Sequence, residues 1–100
     1  MINKCICVTS KTFSNNEKLV AKLKDNFEHV ILNKKHEFTS EELVLFAKDA
    51  DGIILGKEKI DHLLLSQLPN LRIISNYGVG IDNVDIESCR KHNVKFLYQR

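Results

Sequence analysis

Five short apolar runs that do not alternate with polar residues constrain this chain more than anything else in it. They are residues 4–9 (Lys-Cys-Ile-Cys-Val-Thr), 29–33, 52–56 (Gly-Ile-Ile-Leu-Gly), 71–75 and 94–97. A strand with one wet face alternates apolar and polar positions. A strand covered on both faces does not, and that is the habit of parallel sheets. Parallel neighbours need crossovers, and the segments between the runs have helical spacing. Residues 15–27 place Leu19, Val20, Leu23 and Phe27 on one face, with Ser14 as the predicted N-cap and Glu17 completing a capping box. Residues 41–50 repeat the pattern with Leu43, Phe46, Ala47 and Ala50, capped by Ser40 or Thr39. Residues 61–67 make a short helix with Leu63 and Leu64 inward, stopped before Pro69. Residues 86–92 make the last, capped by Asp85. The string βαβαβαβαβ predicts an α/β fold, a flavodoxin-like doubly wound five-stranded parallel sheet in the order 2-1-3-4-5. It ends on a strand, so the sheet is expected to be truncated before its closing helices, with part of one face uncovered.

A length of 100 residues corresponds to one domain, large enough for a single core without staples. The formal charge of +2 is too small to imply a nucleic-acid or membrane partner. The N-terminal apolar run is too short for a signal peptide, and no stretch approaches membrane-spanning length. Three cysteines are an odd number without paired spacing. Cys5 and Cys7 fall on one face of a strand and Cys89 in a helix, so all three read as buried free thiols, neither disulfides nor zinc ligands. Free thiols point to a reducing, cytoplasmic compartment.

In an open parallel sheet, ligands bind outside the carboxyl ends of the strands. Four loops meet there: residues 9–12, 33–35, 56–58 and 76–80. In the last of them, Gly78-Val79-Gly80, the glycines permit positive φ and let backbone N–H groups approach a ligand, forming a nest suited to a carboxylate. The same residues read equally as a tight turn with no ligand. They do not complete a dinucleotide fingerprint, because Asn83 stands at the third glycine and Asp82 would face the pyrophosphate. Thr9, Ser10, Thr12 and Ser14 crowd hydroxyls before a helix N-terminus, where a flavin phosphate is conceivable, but this loop has no glycine and carries Phe13. Lys57 could add positive charge near a bound carboxylate. Histidines 29, 36, 62 and 92 show no ligand spacing, and His92 is accounted for by the C-terminal end of its helix.

The run from Leu68-Pro69-Asn70-Leu71 through Asn76-Tyr77-Gly78-Val79-Gly80-Ile81-Asp82-Asn83-Val84-Asp85, with residues 50–56 and 89–94, resembles the D-isomer-specific 2-hydroxyacid dehydrogenases, including D-3-phosphoglycerate dehydrogenase-like enzymes. Asn93 stands where that family often has glycine, and Asn also tolerates the left-handed conformation. The resemblance implies a substrate-binding domain fragment over residues 1–100, with the NAD-binding Rossmann domain absent from the chain. It implies that Gly56, Lys57, Tyr77, Gly78, Val79 and Gly80 surround a small 2-hydroxy or 2-oxo acid. It places NAD and the catalytic residues in the following domain, so this chain alone is expected to be inactive, without a cofactor or metal of its own. An apolar last strand without its later cover points to a homodimer or other self-association. A stand-alone flavodoxin-like module binding a small anion or flavin is the alternative.

Overall fold

The apolar runs pair as five parallel strands in the order β2-β1-β3-β4-β5, the order expected from the sequence. The computed structural model describes residues 2–34, 37–77 and 80–98. In chain order the elements are β1 (Ile2–Val8), α1 (Lys11–Ser14), α2 (Glu17–Asn26), β2 (Phe27–Leu32), α3 (Ser40–Ala47), β3 (Gly52–Leu55), α4 (His62–Ser66), β4 (Ile73–Asn76), α5 (Ile86–Lys91) and β5 (Lys95–Leu97). Strand β1 is interior, between β2 and β3: it registers Val8 against Leu32 on one side and Ile54 on the other.

One face of the sheet carries most of the core. Cys7, Ile53, Leu55 and Ile74 pack there with Leu43 and Ala47 of α3, Leu64 and Leu65 of α4, and Cys89 of α5. Burial of each such aliphatic side chain stabilises the fold by about 1.5–3 kcal/mol before the cost of ordering it. The opposite face is covered unevenly. Ile6 and Val8 are buried, as is Phe13 of α1, whereas Ile54 and Ile73 are half-buried and Leu97 is exposed. Helices α1 and α2 contact β1 and β2. No described helix follows β5, so the row Val8–Ile54–Ser75–Leu97 runs out from under cover toward the β5 edge.

Several local expectations need correction. Residues 11–14 form a separate helical turn, α1, capped by the Ser10 hydroxyl, which accepts from the Phe13 N–H at 3.1 Å. Ser14 is therefore the buried end of α1, not the cap of α2. Asn16 caps α2, its side-chain oxygen accepting from the Leu19 N–H. No side chain of α2 is fully buried, because this helix lies over the sheet edge with Leu19, Val20 and Leu23 half-covered. Phe27 is the first residue of β2, not the last of a helix. In α4 it is Leu64 and Leu65 that turn inward, and Leu63 is 70% exposed. The Asp61 cap fixes the phase of that single turn.

Other local signals hold. Thr39 caps α3 in a full capping box with Glu42, and Asp85 caps α5. Asn93 has φ 59°, so it occupies the left-handed position that ends α5.

Candidate functional site

The loops after β1, β3 and β4 converge on a cleft of about 540 Å³, whose lining includes Thr9, Ser10, Lys57, Glu58, Tyr77 and Gly80. This is the carboxyl edge of the sheet, where an open parallel fold leaves a crevice. Of the residues singled out in the sequence, Gly56, Lys57, Tyr77 and Gly80 all line it. Gly78 and Val79 lie outside the described residues. Glycine at 56 has a steric reason: a Cβ there would lie 3.1 Å from the Ser10 Cα, so the absence of a side chain lets two loops approach. Gly80 is less crowded than Gly56. None of the described glycines has positive φ, and a Cβ at Gly80 would meet nothing within 4 Å. Among the described residues, nothing crowds a side chain at 80.

A buried carboxylate holds the loops together. Glu58 is 3% exposed, and its two oxygens accept from the Thr9 hydroxyl at 2.8 Å and the Phe38 N–H at 3.0 Å. The Thr9 oxygen in turn accepts from the Gly56 N–H at 2.9 Å. Asn83 Nδ2 donates to the Glu58 carbonyl at 2.8 Å. Asn76 Nδ2 donates to the Gly80 carbonyl at 2.9 Å, tying the end of β4 to Gly80. Tyr77 stands edge-on to Phe13, with ring centroids 5.2 Å apart, so α1 buttresses one wall. Sequence reading gave Glu58, Asn76 and Asn83 no role. Residues 56–58 are one of the four candidate loops, and the fold adds that Glu58 within it turns inward.

The hydroxyl-rich first loop is engaged with the protein itself. Thr9 bonds Glu58, Ser10 caps α1 and Ser14 is buried. That arrangement does not favour a flavin-phosphate site. The segment after Gly80 does not favour a dinucleotide either. Residues 81–85 separate Gly80 from α5, whose first-turn N–H of Ser88 is already taken by the Asp85 carboxylate at 3.2 Å. The hydrogen bond from that backbone N–H holds the Asp85 carboxyl below its ordinary range.

The three cysteines are free thiols, Cys7 and Cys89 buried and Cys5 half-buried. Burial pushes the Cys7 thiol up to about 12, so it is a protonated core residue and not a nucleophile. No group of three or more metal-ligating side chains occurs among the described residues, and no described helix is long and apolar enough to cross a membrane. The histidines hold a surprise: His62 and His92 meet at 2.8 Å, away from the cleft lining.

Comparison with known proteins gives a consistent pattern. Residues 6–98 match the family model of the D-isomer specific 2-hydroxyacid dehydrogenase catalytic domain. The chain is 33% identical over 90 residues to glyoxylate reductase of Thermococcus onnurineus, covering 89% of this chain and 26% of that enzyme. It is 32% identical over 81 residues to glyoxylate/hydroxypyruvate reductase B of Klebsiella pneumoniae, covering 80% of this chain and 25% of that enzyme. Among solved structures, NAD+-bound 3-phosphoglycerate dehydrogenase of Entamoeba histolytica superposes with a TM-score of 0.78 at 27% identity, over 97% of this chain and 33% of the other. Apo D-lactate dehydrogenase of Escherichia coli shares the fold, with a TM-score of 0.75 at 13% identity over 96% of this chain and 30% of the other. The chain thus spans about a quarter of the length of the curated relatives it matches.

Proposed function

The chain belongs to the D-isomer specific 2-hydroxyacid dehydrogenase family, matching its catalytic domain, and from that premise we propose that it is the substrate-binding part of an NAD-dependent oxidoreductase acting on the CH–OH group of a 2-hydroxy acid. The observation that carries this reading is the meeting of Gly56, Lys57, Tyr77 and Gly80 around one cleft at the carboxyl edge of the sheet. The Lys57 ammonium and the backbone N–H of Gly80 are donors suited to a carboxylate, and the open space at Gly80 lets the acid come close. The role of the chain is to bind and orient the acid. The nicotinamide supplies the hydride acceptor or donor, and we place it, with the residue that moves the proton, outside this chain. The three free thiols favour a reducing, cytoplasmic setting for this enzyme.

The test is a full-length enzyme carrying this domain, assayed with NADH and a panel of 2-oxo acids that includes glyoxylate and 3-phosphohydroxypyruvate. NADH consumption with at least one acid is expected; no turnover of any would overturn the reading. The chain alone is expected to show no micromolar NADH binding by fluorescence.

We also propose that the isolated chain self-associates. Ile54, Ile73 and Leu97 lie on the thinly covered face, and Tyr98 follows with 39% exposure. At about 25 cal/mol per Å², reburying 400 Å² of apolar surface gives about 10 kcal/mol before association costs, which consume much of it. Sedimentation equilibrium at tens of micromolar should show a dimer or larger species; a clean monomer would contradict this.

A further inference from the structure

Two imidazoles separated by 30 residues in sequence meet on the surface where α4 and α5 pack together. His62 Nδ1 and His92 Nε2 lie 2.8 Å apart, with ring centroids at 4.9 Å. His62 opens α4 directly after its Asp61 cap, and His92 closes α5, its N–H donating to the Ser88 carbonyl at 3.0 Å. Both backbones are anchored from beneath by Leu64, Leu65, Cys89 and Val94, each 6% exposed or less. A parallel bridge between Ile60 and Val84 joins the segments leading into the two helices, with the Ile60 N–H donating to Asn83 and the Asp85 N–H donating to Ile60, both at 2.8 Å. The pair is therefore presented on fixed supports, and only side-chain torsions remain free.

We propose that this pair is a metal site, a surface chelate for a borderline divalent ion such as Zn2+, in which His62 Nδ1 and His92 Nε2 supply two ligands and water supplies the others. Imidazole nitrogen is a preferred ligand of zinc, nickel and copper. Two neutral imidazoles can share only one proton between these nitrogens, one donating and one accepting. When a cation enters, the donating ring takes its other tautomer, carrying its proton on the far nitrogen, and both facing lone pairs bind the ion. Tetrahedral zinc at its usual Zn–N distance sets two nitrogens about 3.3 Å apart, so the nitrogens open by roughly 0.5 Å and the two rings, now nearly head-on, turn until their lone pairs converge on the ion. No third metal-ligating side chain joins them in a cluster among the described residues, so the ion keeps open positions and exchanges readily. Neither histidine lines the cleft, and the site stands or falls independently of the dehydrogenase reading.

The experiment is a calorimetric titration of the chain with zinc chloride, with imidazole proton resonances followed by NMR. One ion per chain is expected, and the resonances of His62 and His92 should shift while those of His29 stay in place. His62→Ala and His92→Ala should each weaken binding roughly tenfold or more, at least the effect of losing an outer-shell partner of a metal. His29→Ala, on the exposed edge strand β2, should leave it unchanged. Absence of one-to-one binding would overturn the proposal. So would shifts confined to other histidines, or full affinity in both His62→Ala and His92→Ala. The resonance shifts are read on the unaltered chain and decide the matter even if a variant fails to fold.

Discussion

Replacing Glu58 with alanine is expected to lower the unfolding free energy by about 3 kcal/mol, because two donors lose their acceptor at once. The Thr9 hydroxyl and the Phe38 N–H both end on this carboxylate, which is 3% exposed. A buried donor that loses its acceptor costs about 1–3 kcal/mol, and of these two the Thr9 hydroxyl is buried while the Phe38 N–H is partly so. Two effects keep the loss below the sum. The variant no longer desolvates a carboxylate, and the Thr9 hydroxyl has a long fallback to the Ile54 carbonyl at 3.5 Å. Glu58→Gln separates the two bonds. Its amide oxygen can still accept from Thr9, but its NH2 then faces the Phe38 N–H, donor against donor, so its loss should fall between wild type and alanine. Urea denaturation of the three proteins gives the ranking. An alanine variant within about 0.5 kcal/mol of wild type, the range of an ordinary surface change, would mean that Glu58 does not hold these loops.

Gly80→Val is expected to have the opposite character, changing function and leaving the fold alone. A Cβ at this position meets nothing within 4 Å, and no described glycine has positive φ. With no crowding from the described residues, stability should stay within about 0.5 kcal/mol of wild type. The new isopropyl group would instead project into the cleft proposed to receive the acid. In a full-length enzyme, kcat/KM for the acid should fall roughly 100-fold, the scale of an ångström-sized misplacement of substrate. NADH affinity should stay near wild type. Lost NADH affinity with intact substrate handling would assign Gly80 to the cofactor and reverse the proposal. A large loss of stability would show that the conformation at 80 depends on glycine after all.

The strand order was legible because β1, β3 and β4 are covered on at least one face by whole helices, and continuous apolar runs record that covering directly. The caps at Thr39 and Asp85 were legible for a similar reason, since a cap and its N–H donor lie three residues apart. Helix α1 escaped notice because four residues are too few to show a period, and its Phe13 looked like an obstacle to a ligand when it is a wall behind Tyr77. Glu58 was illegible for a different reason. Its partners Thr9 and Phe38 stand 49 and 20 residues away, and only the crossing of β1 between β2 and β3 brings them together. The same holds for His62 and His92. Pairings at that distance leave no periodic trace in a single sequence.

The most direct measurement is amide-shift mapping of the 15N-labelled chain titrated with glycolate, the smallest 2-hydroxy acid, at millimolar concentrations. If the cleft is the carboxylate site, the largest shifts should come from Ser10, Gly56, Lys57, Tyr77 and Gly80, the residues that converge there. Shifts scattered over the surface, or gathered instead in the apolar groove of Ile2, Leu19 and Leu23, would contradict it.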